Sequence, residues 1–323
     1  MKTKALVLFS GGLDSRLTIK LLQEQNIDVE AVYIKLPFGS GCCNDFQCVF
    51  NYSQIQGVKL HIIDCTKPPL FNEYMEIIKN PKYGRGVSLN PCKDCKLFLL
   101  KKAKELGETI KADFLATGDV LGQRPNSQYK NQMILIEKQA GLDGKVLRPL
   151  SAKLLPETDA EKKGLVDRNK LLAIEGRQRK KQIELAKKYN IKYPAPAGGC
   201  LLCEKDYCKK LKEFLNFKEK SNQEIKNEEI QLLGLGKHFR SPLTKNKIIL
   251  GRNEKQNREI EQINKTLNYN IIIPENIPGP TTIFENIQDK ELAEQLIKIH
   301  SSKDNLKEKS KEKLKKQFKK LRI

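Results

Sequence analysis

The chain has 323 residues, of which 39% are hydrophobic and 31% charged, a composition typical of a soluble protein with room for two domains. Its net charge of +21 favours a polyanionic partner, although a merely lysine-rich surface is the alternative. No apolar run reaches the length of a membrane span or of a signal peptide, so we expect a cytoplasmic protein without membrane contact. Nine cysteines in such a protein favour metal or sulfur chemistry over disulfides.

The first predicted elements are a buried strand at residues 5–9, a glycine-rich loop and a helix. The loop has the sequence Ser10-Gly11-Gly12-Leu13-Asp14-Ser15. Its glycines allow the backbone to bend sharply and to approach a ligand, and the free N–H groups at the start of the helix form an anion site. The spacing fits neither the Gly-x-Gly-x-x-Gly dinucleotide motif nor a Walker-type loop, so both classes lose support.

Strands and helices then alternate, with strands predicted at residues 29–36, 58–64 and 112–118 and helices at residues 45–56 and 96–106. This alternation predicts a doubly wound α/β domain with a mostly parallel sheet. Because nucleotides bind at the carboxyl ends of such strands, we expect the loop at residues 37–43 to form a wall of the nucleotide pocket. Cys42 and Cys43 lie on this loop without an assigned role. Two apolar segments, residues 133–136 and 146–150, follow the last strand.

The sequence becomes basic and helical in pattern between residues 156 and 189. This stretch carries the side chains that we expect to contact the phosphate backbone of a nucleic acid, Arg177, Arg179, Lys180 and Lys181. Prolines and glycines at residues 191–199 predict an ordered linker, which ends a first domain at residues 1–199.

The second part of the chain, residues 200–300, has short predicted strands at 232–240 and 247–253 and a helix at 254–266. This pattern predicts a small α+β module that faintly resembles the RNA-associated module of ribosome quality-control proteins. A local basic patch is expected from Lys237, Arg240 and Arg252. Residues 301–323 carry 10 basic and 3 acidic residues and are predicted to form a basic helical tail, solvated by default or lying on RNA.

The cysteines include a Cys-x-x-Cys pair, Cys92 and Cys95, at the start of a predicted helix. The helix N-terminus and the neighbouring lysines favour the thiolate form of this pair. A third thiol, Cys200, follows two glycines about a hundred residues later. Soft thiolates select iron–sulfur clusters or zinc, and Cys203 or Cys208 would complete a structural zinc site.

The Ser-Gly-Gly-x-Asp-Ser loop after a first strand resembles the pyrophosphate loop of the PP-loop ATP pyrophosphatases, which have the adenine nucleotide alpha hydrolase-like fold. The resemblance implies that ATP is cleaved between its α- and β-phosphates and that an oxygen of the substrate is adenylated. It also implies that ATP and Mg²⁺ are held by the loop and by the end of a later strand, through Ser10, Gly11, Gly12, Asp14, Ser15, Thr117 and Gly118.

The Asn-Pro-Cys-x-x-Cys motif, followed by Gly-Gly-Cys, resembles the tRNA thiolases of that family, notably the 2-thiouridylases, over roughly residues 1–205. This resemblance implies ATP-dependent tRNA thiolation, in which a uridine carbonyl oxygen is adenylated and sulfur then displaces AMP. The catalytic residues it implies are Asp14, Cys92, Cys95 and Cys200. The implied partners are tRNA and a sulfur donor, namely a cysteine desulfurase, a sulfur carrier or free sulfide.

The resemblance allows two routes for the sulfur. In one route Cys200 carries a persulfide, and Cys95 releases its sulfur by forming a disulfide. In the other route Cys92, Cys95 and Cys200 are the metal ligands of a 4Fe–4S cluster whose fourth iron binds sulfide. The presence of all three thiols favours the cluster, with structural zinc as the alternative.

Two features depart from the family pattern. Asp119 stands where thiolases often have a histidine, and no RNA-binding domain precedes the loop, which disfavours a 4-thiouridine synthase. Two other functions therefore stay open. One is a PP-loop ligase that uses ammonia or an amine to form an amide or guanidine, and the other is a non-enzymatic RNA-binding protein with structural zinc.

Overall fold

The structure is a computed structural model that describes residues 2–39, 46–194, 200–275, 278–301 and 318–323. It divides into two compact units, Met1–Cys203 and Glu204–Ile323. Cys42, Cys43, most of the predicted linker and most of the predicted tail lie outside the described residues. Among the described helices, none is long and apolar enough to cross a membrane.

The first unit is built on a five-stranded parallel sheet with the order β3-β2-β1-β4-β5. Its strands are β1 (Lys4–Leu8), β2 (Asp28–Lys35), β3 (Lys59–Asp64), β4 (Phe114–Thr117) and β5 (Val146–Leu147). Its helices are α1 (Leu13–Gln23), α2 (Phe46–Ile55), α3 (Leu70–Lys79), α4 (Cys92–Thr109), α5 (Lys130–Ala140), α6 (Asp159–Lys162) and α7 (Lys180–Lys188). The predicted doubly wound α/β fold is confirmed.

Both faces of the sheet are covered, as a continuous apolar run in β1 predicts. Ala5 and Val7 pack with Leu17 of α1 in one core cluster, whereas Leu6 packs with Leu100 of α4 in the other. Burying both faces of the central strand fixes β1 in the middle of the sheet and leaves its carboxyl end as the place where α1 begins.

The predicted helical pattern of residues 156–189 is largely wrong. Only the short α6, a 3-10 turn and α7 are helical, and residues 171–176 are extended. The Ile174 N–H donates to the Leu150 carbonyl at 2.8 Å, and Glu175 forms a parallel bridge with Leu121. Tertiary pairing with two distant segments therefore overrides the local helical spacing. The apolar segment at residues 133–136 lies within helix α5.

The second unit contains a four-stranded antiparallel sheet with the order β6-β7-β9-β8. Its strands are β6 (Lys237–Arg240), β7 (Lys247–Leu250), β8 (Asn270–Ile272) and β9 (Thr282–Phe284). Its helices are α8 (Lys205–Lys220), α9 (Asn227–Leu233), α10 (Glu254–Leu267) and α11 (Lys290–His300). The predicted α+β module is confirmed, but the strand expected at residues 232–240 begins only at Lys237, because α9 ends at Leu233.

The last residues of the chain are not a solvated tail. Phe318 is buried in the same cluster as Phe239 and Leu296, and Leu321 packs against it. Arg322 forms an antiparallel bridge with Phe239, and the Arg240 N–H donates to the Leu321 carbonyl at 2.8 Å. The C-terminus thus extends the sheet beyond its edge strand β6, because apolar side chains between the lysines have a core to enter.

Candidate active site

A cavity of about 320 Å³ opens at the carboxyl ends of β1, β2 and β4. Its apolar wall contains Leu8, Val32 and Ile34. Its polar side contains the predicted loop residues Ser10, Gly12, Asp14 and Ser15, followed by Thr117 and Gly118 from the end of β4. Strand β2, the next strand along the chain, pairs with one edge of β1, and β4 pairs with the other edge. The strand order therefore reverses at β1, and α/β sheets bind nucleotides at such a switch point.

The glycine loop has the conformation that an anion-binding turn requires. Gly11 has φ +77°, and a Cβ atom there would lie 2.9 Å from Val49 Cγ2. Gly12 is the N-cap of α1, and the Ser15 hydroxyl donates to its carbonyl at 2.9 Å. Arg16 stabilises the loop, because its Nε donates a hydrogen bond to the Gly11 carbonyl at 2.7 Å. The N-terminal N–H groups of α1 are thereby directed toward the cavity.

Gly118 is needed for the close approach of β4 and α1. A Cβ atom at this position would lie 2.7 Å from the Ser15 backbone nitrogen and 2.8 Å from the Asp14 carbonyl carbon. Any larger residue would therefore push the strand away from the first turn of α1. The residues predicted from Thr117-Gly118 and from the loop do meet at one place.

Asp14 stands at the floor of this cavity. Gln123 donates to its Oδ2 at 3.1 Å, whereas its buried Oδ1 has no hydrogen-bond partner. Burial raises the pKa of Asp14, and the amide of Gln123 and the charge of Arg179 oppose that rise. A carboxylate oxygen without a partner beside a phosphate-binding loop is a suitable ligand for a hard cation such as Mg²⁺.

Asp119, where a histidine is common in the family, forms a buried ion pair. Lys96 Nζ lies 2.8 Å from its Oδ2, and Gln128 and Thr117 each donate to it at 2.9 Å. Burial alone would raise the pKa of Asp119, but Lys96 and Arg148 outweigh burial and lower the pKa to about 2. The negative charge of Asp119 is therefore matched by a cation that also lines the cavity.

The Cys-x-x-Cys pair occupies the first turn of α4. Asn90 Nδ2 donates to Cys92 Sγ at 3.2 Å, and the Tyr74 hydroxyl lies at hydrogen-bonding distance, 3.2 Å, from Cys95 Sγ. Burial raises the pKa of Cys95, and Tyr74 and Lys96 only partly oppose that rise. The expectation that this turn favours the thiolate is therefore wrong for Cys95 in this conformation.

The third thiol reaches the pair from a segment far along the chain. The Leu201 N–H donates to the Phe38 carbonyl at 3.1 Å, and the Leu89 N–H donates to the Leu202 carbonyl at 3.2 Å. Burial, and after it negative charge on Cys95, raises the pKa of Cys200 to about 12. The two thiols thus lie within electrostatic range of each other.

The thiols do not, as placed, form a metal site. Within the described ranges, no group of three or more histidine, cysteine, aspartate or glutamate side chains is arranged to hold a metal ion. Cys203 is exposed, and Cys208 is buried in helix α8 of the second unit. The chemistry of three thiols suits a cluster, but the present side-chain arrangement fits neither the predicted cluster nor the predicted zinc site.

The predicted nucleic-acid residues fall into two groups. Arg177, Lys180 and Lys181 are exposed, whereas Arg179 is half-buried and lines the cavity. Sequence reasoning also missed the cavity residues Arg124 and Gln128, and it assigned Lys96 only an influence on the neighbouring thiols. Only their positions in the sequence could have indicated a role. Lys96 directly follows the Cys-x-x-Cys pair, and Arg124 and Gln128 lie in the loop after Thr117-Gly118-Asp119.

The comparisons with known proteins agree with this geometry. Residues 3–143 match the family model described as the tRNA methyl transferase HUP domain. The tRNA-specific 2-thiouridylase MnmA of Sulfurimonas denitrificans is 34% identical over 125 residues, covering 36% of this chain and 35% of the relative. Part of the first unit is thus similar to tRNA-specific 2-thiouridylases. A second MnmA, from Campylobacter curvus, is 33% identical over 124 residues, covering 36% of this chain and 34% of the relative.

The chain therefore spans about a third of the length of these thiolase relatives. Among solved structures, a 4-thiouridine synthetase in complex with RNA and ATP has 20% identity and a TM-score of 0.42, covering 62% of this chain and 44% of that chain. The U34-tRNA thiolase NcsA of Methanococcus maripaludis, solved with its 4Fe–4S cluster, has 18% identity and a TM-score of 0.35, covering 72% and 73%. The relatives do not favour the amide-forming or non-enzymatic alternatives.

Proposed function

We propose that this protein thiolates tRNA at the expense of ATP. The observation that carries the proposal is the position of helix α4, whose first turn holds Cys92 and Cys95 and whose next residue, Lys96, lines the nucleotide cavity. A nucleotide bound at the glycine loop would thus lie beside thiols. The similarity of the first unit to tRNA-specific 2-thiouridylases supports sulfur transfer as the reaction of these thiols.

The activation step uses the loop side of the cavity. The N–H groups at the start of α1 and the Ser10 and Ser15 hydroxyls bind the pyrophosphate end of ATP. Asp14 would hold Mg²⁺ through its unpartnered Oδ1, and the metal would neutralise phosphate charge. The uridine carbonyl oxygen attacks the α-phosphorus, the bond to the β-phosphate oxygen breaks, and pyrophosphate leaves.

The sulfur step uses the thiol side. A persulfide on Cys200 supplies the sulfur atom that adds to the activated carbon, and AMP leaves with the former carbonyl oxygen. Cys95 attacks the inner sulfur of the persulfide, so a Cys95–Cys200 disulfide forms and an external thiol must reduce it. The backbone hydrogen bond between Leu89 and Leu202 supports this route, because Leu89 lies three residues before Cys92 and Leu202 lies two residues after Cys200. In the cluster route Cys92 is also required, so Cys92→Ser separates the two.

The substrate is brought to the site by exposed cations. Arg177, Lys180 and Lys181 precede or begin α7 close to the cavity residue Arg179, and they would contact the tRNA backbone without reading its sequence. In the persulfide route the sulfur donor is a cysteine desulfurase or a persulfide-bearing carrier, which transfers sulfane sulfur to Cys200. Free sulfide is a donor for the cluster route only, because it would need an oxidant to form a persulfide.

The test combines nucleoside mass spectrometry with ATP–pyrophosphate exchange. A strain without the gene should lose one thiouridine species, and the purified protein should show exchange that tRNA stimulates. Cys92→Ser with thiolation retained supports the persulfide route, whereas loss of thiolation together with bound iron and sulfide supports the cluster. Persistence of every thionucleoside in a strain with no second thiolase would overturn the proposal.

A further inference from the structure

The first turn of α7 contains a cation that the sequence alone assigned to RNA. Arg179 is the N-cap residue of this helix and lines the same cavity as Ser10, Gly12 and Asp14. Its guanidinium forms no hydrogen bond or ion pair with the side chains or backbone that the structure describes. A half-buried arginine that lines the same cavity as a glycine loop at a helix N-terminus is suited to bind an anion.

A second polar group in the same turn lacks a partner. Gln182 has no exposed surface, and neither its Nε2 nor its Oε1 is in hydrogen-bonding geometry. Gln182 lies in the same turn of α7 as Arg179, on the helix that packs against α1. Asp14 Oδ1 is unpartnered as well. A phosphate ligand that carries a metal ion would contact both Arg179 and Asp14, because these two residues line the same cavity.

Backbone hydrogen bonds and helix packing hold the first turn of α7 in its position. Gly176 N–H donates to the Leu121 carbonyl at 2.7 Å, and Glu175 bridges Leu121 directly after β4. Helices α1 and α7 also pack against each other, with Ala186 and Leu17 in one core cluster. The turn and the glycine loop therefore both contribute residues to the wall of the same cavity.

We propose that Arg179 is a ligand of the ATP phosphates and that α7 couples ATP binding to RNA binding. Arg179 binds the nucleotide from one side of the turn, while Arg177, Lys180 and Lys181 present their charges to solvent. Nucleotide phosphates pull Arg179 and its turn into one arrangement and so order the exposed cations for tRNA. Coupling of this kind is reciprocal, so tRNA must tighten ATP by the same factor. The inference rests on the proposed function, its ATP half on the nucleotide site and its RNA half on the tRNA substrate.

The experiment measures equilibrium binding of a non-hydrolysable ATP analogue with Mg²⁺ to the full chain. Arg179→Gln should weaken analogue binding about tenfold or more, and Arg179→Lys should restore part of it. Arg177→Gln is the matched control, because it removes the same charge two residues away and should leave analogue affinity unchanged. Thermal unfolding of each variant shows whether the fold is intact.

The coupling is read from tRNA binding with and without the analogue. Wild-type protein should bind tRNA more tightly when the analogue is present, and Arg179→Gln should lose that gain. Arg177→Gln should weaken tRNA in both conditions and reduce the salt dependence by about one ion. If Arg179→Gln binds the analogue like wild type and weakens only tRNA, the inference is overturned. If the analogue result holds but tRNA does not bind, the proposed function fails and the ATP role of Arg179 stands.

Discussion

Lys96 and Asp119 form a buried ion pair, 2.8 Å between Nζ and Oδ2, that joins the thiol helix α4 to the end of strand β4. The side chains are 20% and 9% exposed. Lys96 follows Cys95 directly, and both members of the ion pair line the cavity at the glycine loop. Asp119, which stands where thiolases often have a histidine, is thus paired with a lysine on helix α4.

Removing the cation should harm both stability and sulfur transfer. Lys96→Met leaves Asp119 buried without its ion-pair partner, which we expect to cost roughly 3 kcal/mol in free energy of unfolding. Chemical denaturation measures that cost. Thiolation should fall more than ATP binding does, because the altered contact lies on the thiol side. Lys93→Met, on the same turn, is the control, and equal effects of the two variants would contradict this role for Lys96.

Asp119 should also make the protein sensitive to acid. Its folded pKa of about 2 lies below the ordinary value of 3.8, so the charged form is favoured by folding. The stabilisation, roughly 2 kcal/mol, is present above about pH 4 and is lost as the pH falls toward 2. Asp119→Asn should flatten this part of the stability profile measured by denaturation at each pH. An unchanged profile in the variant would show that other carboxyl groups cause the acid sensitivity.

Gly118 should not tolerate a methyl group. In Gly118→Ala the new Cβ would meet backbone atoms of Ser15 and Asp14 at 2.7–2.9 Å, and backbone cannot move aside cheaply. We expect a loss of about 2 kcal/mol in stability and at least tenfold weaker ATP binding. Gly12→Ala is the control for folding, because its nearest contact would be 3.5 Å from Ser10 Oγ. Normal ATP affinity in Gly118→Ala would contradict the close approach.

Two thiols with a raised pKa, the buried Cys65 and the half-buried Cys200, should resist alkylation. Burial raises the pKa of Cys65 and of Cys200 to about 12, so neither forms much thiolate at pH 8. Peptide mass spectrometry after iodoacetamide treatment should show both at least tenfold less modified than in the urea-unfolded protein. The exposed Cys203 serves as the internal reference. Rapid native labelling of Cys200 would mean that its segment leaves the Phe38 contact.

The C-terminal residues should stabilise the second unit. Phe318→Ala removes a ring that is 8% exposed among Phe239, Leu296 and Ile299, and we expect a cost of about 3 kcal/mol. Lys319→Ala, next to it and exposed, should cost almost nothing. Differential unfolding of the full chain compares the two. Equal stability of both variants would restore the interpretation of these residues as a solvated tail.

The sequence by itself determined the class of the first unit and the glycine loop at which we propose that a nucleotide binds. A buried strand, two glycines and an amphipathic helix are local features, and local sterics fix their conformation. The three thiols and the C-terminal α+β module were visible in the same way, from spacing and periodicity. Site residues that lie within one helical turn of a glycine loop can therefore be predicted from the local sequence alone.

Only the tertiary structure decided which of these groups meet. The extended path of residues 171–176, which carries Arg179 to the cavity, depends on hydrogen bonds to Leu121 and Leu150. Cys200 reaches the thiol pair through backbone bonds of its neighbours to Phe38 and Leu89. Such contacts join residues far apart in sequence, and helical spacing or cysteine spacing carries no information about them. The sequence predicted a lowered pKa for Cys95, whereas the pKa is raised in the structure. The reason is that burial outweighs the charge of the adjacent Lys96.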